Sequence, residues 1–221
     1  MLTCVGGLIS PGMIDNLKRI PEISRVVGTD TSSEAIGFHM VDKSYVVPKG
    51  DSSDYIATIL EIAGREAIDV IIPCSDEEVL SLSLHKDSFQ KKGVSILCSS
   101  YEITSKAIDK GTMLNFLKQY SLPLPKFFLP KTAHELIKMA KECGYPDKPV
   151  VVKPRRGRGG RGFRVLKEEI DILTRDSHEM KLEWFLEIMG QDDHLELVLM
   201  EYLPGNDYSI DILADKGRLL F

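Results

Sequence analysis

The sequence predicts an α/β protein in two parts: a domain built on a parallel sheet over residues 1–104, followed by an α+β domain over residues 105–221. Three observations carry that prediction. The first hundred residues alternate short apolar runs with helical patterns, as a parallel sheet flanked by helices requires. A polar, proline-bearing stretch, SSYEITSKAIDKGTMLNFLKQYSLPLP, interrupts that alternation between Ser99 and Pro125. Beyond it PVVVKPRRGRGGRGF, from Pro149 to Phe163, leads a valine strand into a glycine-rich basic loop and on into another strand.

Within the first domain, Leu2–Val5, Arg25–Gly28, Tyr45–Val47, Val70–Ile72 and Val94–Leu97 read as strands. Helical patterns fall between them at Gly12–Arg19, Tyr55–Gly64 and Glu77–His85. The strand ends carry Gly6, Gly7, Asp30, Ser75 and Asp76, where open α/β sheets place ligands. Ser75 reads first as the cap of the following helix. Gly6, Gly7, Pro11 and Gly12, with Asp30 downstream, resemble part of a dinucleotide turn, but the spacing is not GxGxxG. They leave an NAD-dependent oxidoreductase as an alternative.

The second domain reads as a helix through Thr112–Tyr120, a strand at Lys126–Leu129 and a helix at Ala133–Cys143. The strands Val150–Lys153 and Phe163–Leu166 flank the basic loop, and one or two helices cover Glu168–Met189, with Trp184, Phe185 and Ile188 in the core. Three strand-like runs close the chain, at Leu195–Tyr202, Tyr208–Ala214 and Arg218–Phe221. A final strand needs a neighbour, so the sheet is expected to be incomplete.

Composition narrows the function. Of 221 residues 43% are hydrophobic, enough for a real core, and no run reaches the roughly 18 apolar residues that span a bilayer. With no basic region before its short apolar opening, the chain reads as cytoplasmic, with no membrane partner. Cys4, Cys74, Cys98 and Cys143 stand singly, as reduced thiols do, rather than as a metal cluster or disulfide framework. Residues 1–104 carry 9 Lys and Arg against 15 Asp and Glu; residues 105–221 carry 19 against 18, much of the positive charge in one loop. Basic residues concentrated beside glycines suit a small phosphorylated ligand, whereas nucleic acid requires a surface spread over several elements.

That ligand reads as ATP. Val150, Val151 and Val152 would hold Lys153 at fixed depth, while Gly157, Gly159, Gly160 and Gly162 let the backbone turn around phosphate oxygens. One or two of Arg155, Arg156, Arg158, Arg161 and Arg164 can reach phosphate; the rest solvate the loop. Strand, loop, strand differs from the strand, loop, helix of a P-loop. Lys110 opens a helix, and Asp207 follows the Pro204-Gly205 turn, as a ribose acceptor or as a turn cap.

With TCVGG, VVGTD, YVVP, DVIIPCSDEE, SKAIDKGTM, VVVKPRRGRGGRGFRVL and LVLMEYLPGNDYSID in this order, the chain resembles the ATP-grasp superfamily over nearly its whole length. Within that superfamily it is similar to carbamoyl-phosphate synthase large-subunit-like proteins. The resemblance implies a pre-ATP-grasp domain followed by an incomplete ATP-grasp domain. It also implies that Lys110 and Lys153 contact nucleotide phosphates beneath a flap of Gly157–Gly162, and that Met200–Leu203 forms the hinge holding adenine. There the Glu201 carbonyl and the Leu203 amide would read the base, and Asp207 would hold ribose in place of the usual glutamate. Met200 stands where some relatives carry glutamate or glutamine. The implied reaction is carboxylate–amine or bicarbonate–ammonia ligation through an acylphosphate, with ATP and Mg2+. The family's metal-binding glutamates and asparagine fall beyond Phe221, so the resemblance implies a piece inert by itself and completed by a complementary C-terminal polypeptide or a homo-oligomer. A noncatalytic ATP-binding subunit remains the other alternative.

Overall fold

The computed structural model describes residues 1–157, 159–170, 176–190, 194–215 and 217–220, and they form two compact units. Met1–Ser121, with residues 156 and 157, make up the first; Leu122–Arg155 and the described residues from Gly159 onward make up the second.

In the first unit β1 (Val27–Asp30) pairs in parallel with β2 (Lys43–Val46), and β3 (Val70–Ile71) with β4 (Ser95–Ile96). Leu2 joins the two pairs through parallel bridges to Gly28 and Ile72. Its N–H donates to Val27 O at 2.8 Å and its carbonyl accepts from Thr29 N at 3.0 Å, while Thr3 N donates to Ile72 O at 3.1 Å. The resulting order β2, β1, Leu2, β3, β4 is that of a doubly wound sheet. The predicted strand Leu2–Val5 is cut to this bridge because Cys4 takes φ +52°, left-handed backbone that a strand does not tolerate.

Helices α1 (Ser10–Lys18), α2 (Tyr55–Arg65), α3 (Asp76–Leu84) and α4 (Lys86–Gln90) connect these strands, with a 3-10 turn at Ile36–His39. Tyr55, Ile59, Ile62 and Ala63, at helical spacing on α2, bury against Val27, Ile71 and Ile96. The predicted cap holds: Ser75 Oγ accepts from Glu78 N at the start of α3. Helices α5 (Tyr101–Ile108) and α6 (Lys110–Leu117) follow, and Lys118–Tyr120 continues as a 3-10 turn. The sequence reading saw caps where α5 lies. Asp109 separates the helices, taking extended backbone and accepting from Thr112 N at 2.8 Å as the cap of α6.

In the second unit β5 (Phe127–Phe128), α7 (Ala133–Cys143), β6 (Val150–Pro154), β7 (Arg164–Leu166), β8 (Glu179–Met180), α8 (Leu182–Met189) and β9 (Leu197–Glu201) succeed one another. Their five-stranded sheet runs β5, β9, β6, β7, β8, antiparallel except where β7 meets β8. A small hairpin, β10 (Ala214–Asp215) with β11 (Arg218–Leu219), closes the described chain. One sheet face packs Val150, Val152, Leu166 and Leu199 on Leu136 and Ala140 of α7 and Leu182 and Phe185 of α8.

Three expectations change here. Glu168–Met189 contains β8 before its helix, and residues 171–175 of that span lie outside the described residues. Ile188, placed in the core from sequence, is 71% exposed, one residue from the C-terminal end of α8. Tyr208–Ala214 forms no strand before Ala214; Tyr208, Ile210 and Ile212 are exposed, and an extended segment without a ladder is no strand. Arg158 and Phe221 also lie outside the described residues.

Candidate functional site

The period of two along a strand builds the site. Since Val150 and Val152 face the helices, Val151 and Lys153 face the other way. Pairing register carries that face across the sheet: Val151 stands opposite Met200 on β9 and opposite Val165 on β7, and Val165 opposite Glu179 on β8. A cavity of about 390 Å3 lies over this row. Its floor is apolar, from Val151, Val165 and Met200, and Lys153 brings a positive charge to it. The lysine Nζ sits 5.5 Å from the centre of the Phe163 ring, a cation–π distance.

Glu201, Leu203 and Asp207 line the same cavity. Glu201 is anchored at the sheet edge: its N–H donates to Lys126 O at 3.0 Å and its carboxylate accepts from Lys126 N at 2.8 Å. That side chain therefore points to the residue before β5. Thus Lys153, Met200, Glu201, Leu203 and Asp207, named from the sequence, come together. Gly159, Gly160 and Gly162 lie in the connection between β6 and β7 at φ +63°, +70° and +76°. A Cβ at Gly162 would stand 2.5 Å from Pro154 Cγ, so the loop closes against the end of β6 only with glycine there.

Lys110 and Gly157, at φ +118°, belong to the first unit, where Lys110 Nζ donates to Gly157 O at 2.7 Å. Both line a separate cavity of about 530 Å3 with Leu97, Ile103 and Met113. Next to them Arg156 Nε lies 3.8 Å from buried Asp109.

Asp30, the residue behind the dinucleotide alternative, is committed to the backbone. One carboxylate oxygen accepts from Gly6 N at 2.7 Å and the other from Ser32 N at 2.9 Å. A third polar cavity, of about 300 Å3, lies beside it, with Lys49, Asp51 and Glu77 in its lining. Glu78, also in its lining, is largely buried and accepts from Thr3 Oγ1 at 2.7 Å and Ser75 Oγ at 2.9 Å. Burial pushes its carboxyl above the ordinary range, against the pull of those hydroxyls.

The sequence reading did not assign Phe163 or His178 to the site. Alternation along the strand leading from the loop was a signal for Phe163. His178 carried none, in a stretch whose composition reads as helix.

Residues 12–97 match the PylC-like N-terminal domain family and residues 107–221 the ATP-grasp domain family. The chain belongs to the ATP-grasp family. It is 23% identical over 198 residues to the carbamoyl phosphate synthase large chain of Clostridium acetobutylicum, covering 89% of this chain and 17% of that protein. Among solved structures, it shares its fold with N5-carboxyaminoimidazole ribonucleotide synthetase from Thermotoga maritima: TM-score 0.58, 20% identity, 91% of this chain and 45% of that one. The biotin carboxylase domain of Hydrogenobacter thermophilus 2-oxoglutarate carboxylase, solved in complex with MgADP, ADP and bicarbonate, gives TM-score 0.60 at 19% identity, covering 91% of this chain and 44% of that one. The chain therefore spans about a sixth of the curated relative and under half of the solved chains.

Proposed function

We propose that this chain is the nucleotide-binding part of an ATP-dependent carboxylate–amine or bicarbonate–ammonia ligase, of the kind represented by carbamoyl phosphate synthase large chains. One observation carries the reading. Lys153, Met200, Glu201, Leu203 and Asp207 line a single cavity of about 390 Å3, within the range of small-ligand sites, with an apolar floor for a base and a cation for phosphate.

Each group has a role in that reading. The Lys153 ammonium holds phosphate oxygens as a point charge. Main chain at Glu201 and Leu203 accepts from and donates to the adenine edge, and Met200 lies beneath the ring. Asp207 accepts from ribose hydroxyls, and the glycine loop supplies amides and excludes water. ATP supplies the phosphoryl group that converts a carboxylate or bicarbonate into an acylphosphate, which an amine then displaces. Among the described residues no three His, Cys, Asp or Glu side chains are grouped to hold a metal.

Calorimetric titration with ATP, with NAD as the matched control, tests the reading. Binding of ATP in preference to NAD is the expected result. A folded chain, by circular dichroism, that binds NAD and not ATP would overturn it.

A further inference from the structure

We infer that His178 is a base-recognition residue of this cavity, a role that rests on the nucleotide reading above. His178 lines the cavity with Lys153, Met200 and Leu203. Its ring meets that of Phe163 edge to face, with centroids 5.5 Å apart and planes at 72°. Phe163 in turn carries the Lys153 ammonium over its ring. An aromatic pair thus stands where the apolar floor gives way to the phosphate-binding lysine, and such a pair presents a face or edge to a flat ring lying on Val151, Val165 and Met200.

The backbone of His178 is fixed. Its N–H donates to Asp176 Oδ1 at 2.8 Å, and its carbonyl accepts from Val165 N at 2.9 Å, which locks the residue to the edge of β7. The ring Nδ1 is buried and has no hydrogen-bond partner among the described residues. A buried nitrogen left unpaired costs free energy that a ligand hydrogen bond recovers. Turning about the Cβ–Cγ bond lets the imidazole offer a nitrogen to the base, as donor or acceptor according to tautomer. Glu179, which follows, is tied up by Lys167 at 2.7 Å, so of these neighbours the imidazole is the group left to read a base.

Titration of the full chain with ATP and, separately, with inorganic tripolyphosphate separates base contacts from phosphate contacts. H178A is expected to weaken ATP about tenfold, the worth of one hydrogen bond and an edge contact, and to leave tripolyphosphate unchanged. H178Q, which keeps a hydrogen-bonding group, is expected to bind ATP more tightly than H178F, which keeps only the ring. Equal losses for both ligands in H178A would assign the residue to the folding of β8 and overturn the proposal, as would unchanged ATP affinity in a folded variant. Should H178A not fold, equal ATP affinity in H178Q and H178F overturns it. A wild-type chain that binds neither ligand overturns the nucleotide reading, and this proposal with it.

Discussion

Lys153 places a full charge on a sheet face otherwise made of Val151, Val165 and Met200. Lys153→Ala is expected to weaken ATP by about 1.5–3 kcal/mol, the value of a charge-assisted hydrogen bond, and to weaken tripolyphosphate in parallel; calorimetric titration reads both. Glu78 is the corresponding residue of the first unit, a carboxyl whose burial raises its folded pKa above the ordinary 4.5. The folded state then holds more protons than the unfolded state above pH 4.5, so this group's contribution is complete below that value and declines as pH climbs through the raised pKa. Glu78→Gln keeps an oxygen to accept from Thr3 and Ser75 but cannot ionise. The difference in Tm between wild type and E78Q is expected to move in the variant's favour as pH rises from 4.5 toward neutrality; a constant difference would show that Glu78 titrates as it does unfolded.

At the scale of elements, the glycine loop and α7 make unlike demands. Gly162 combines φ +76° with a Cβ position 2.5 Å from Pro154, so Gly162→Ala pays both backbone strain and a clash against a rigid ring. It is expected to destabilise the chain by more than about 1 kcal/mol, whereas Gly159→Ala, with open space at its Cβ, carries the conformational cost alone; urea denaturation ranks the two. Thr132 caps α7, accepting from Glu135 N at 3.2 Å, and Glu135 accepts from Lys131 N at 2.8 Å. Thr132→Ala is expected to cost about 1 kcal/mol by the same measurement. These caps explain why α7 was legible: a threonine, a glutamate three residues on, and Gly144 past the end mark both boundaries. Strands β6 and β9 were legible as apolar runs, and their alternation assigns Val151, Lys153 and Met200 to one face. By contrast, α5 was obscured because Ser99, Ser100 and Thr104 are the residues of caps and turns. Strand β8 is two residues long, below what any periodicity can register, and with it went His178. Tyr208, Ile210 and Ile212 alternate as a strand does, but a pattern states only which side would be covered and cannot supply the neighbour.

For the whole molecule, that contrast predicts a gradient in hydrogen exchange. Amides of Val198 and Leu199, within a strand paired on both sides, are expected to exchange slower than those of Ile210 and Ile212 by on the order of a hundredfold or more. Comparable rates would mean that the 208–213 segment has found a partner. Among the described residues no helix is long and apolar enough to cross a membrane. The cavity of the second unit depends on the whole row Met200, Val151, Val165, Glu179, and that row has a parity. Inserting or deleting one residue between Val150 and Lys153 would turn the lysine into the packing of Leu136, Leu166 and Leu199 and bring a valine to the ligand. The connection from Arg155 to Gly162 is under no such rule, since β6 and β7 find their register in the sheet. Over evolutionary time the loop is therefore free to drift in length and charge, while the strands beside it can exchange one side chain for another but cannot gain or lose a single position.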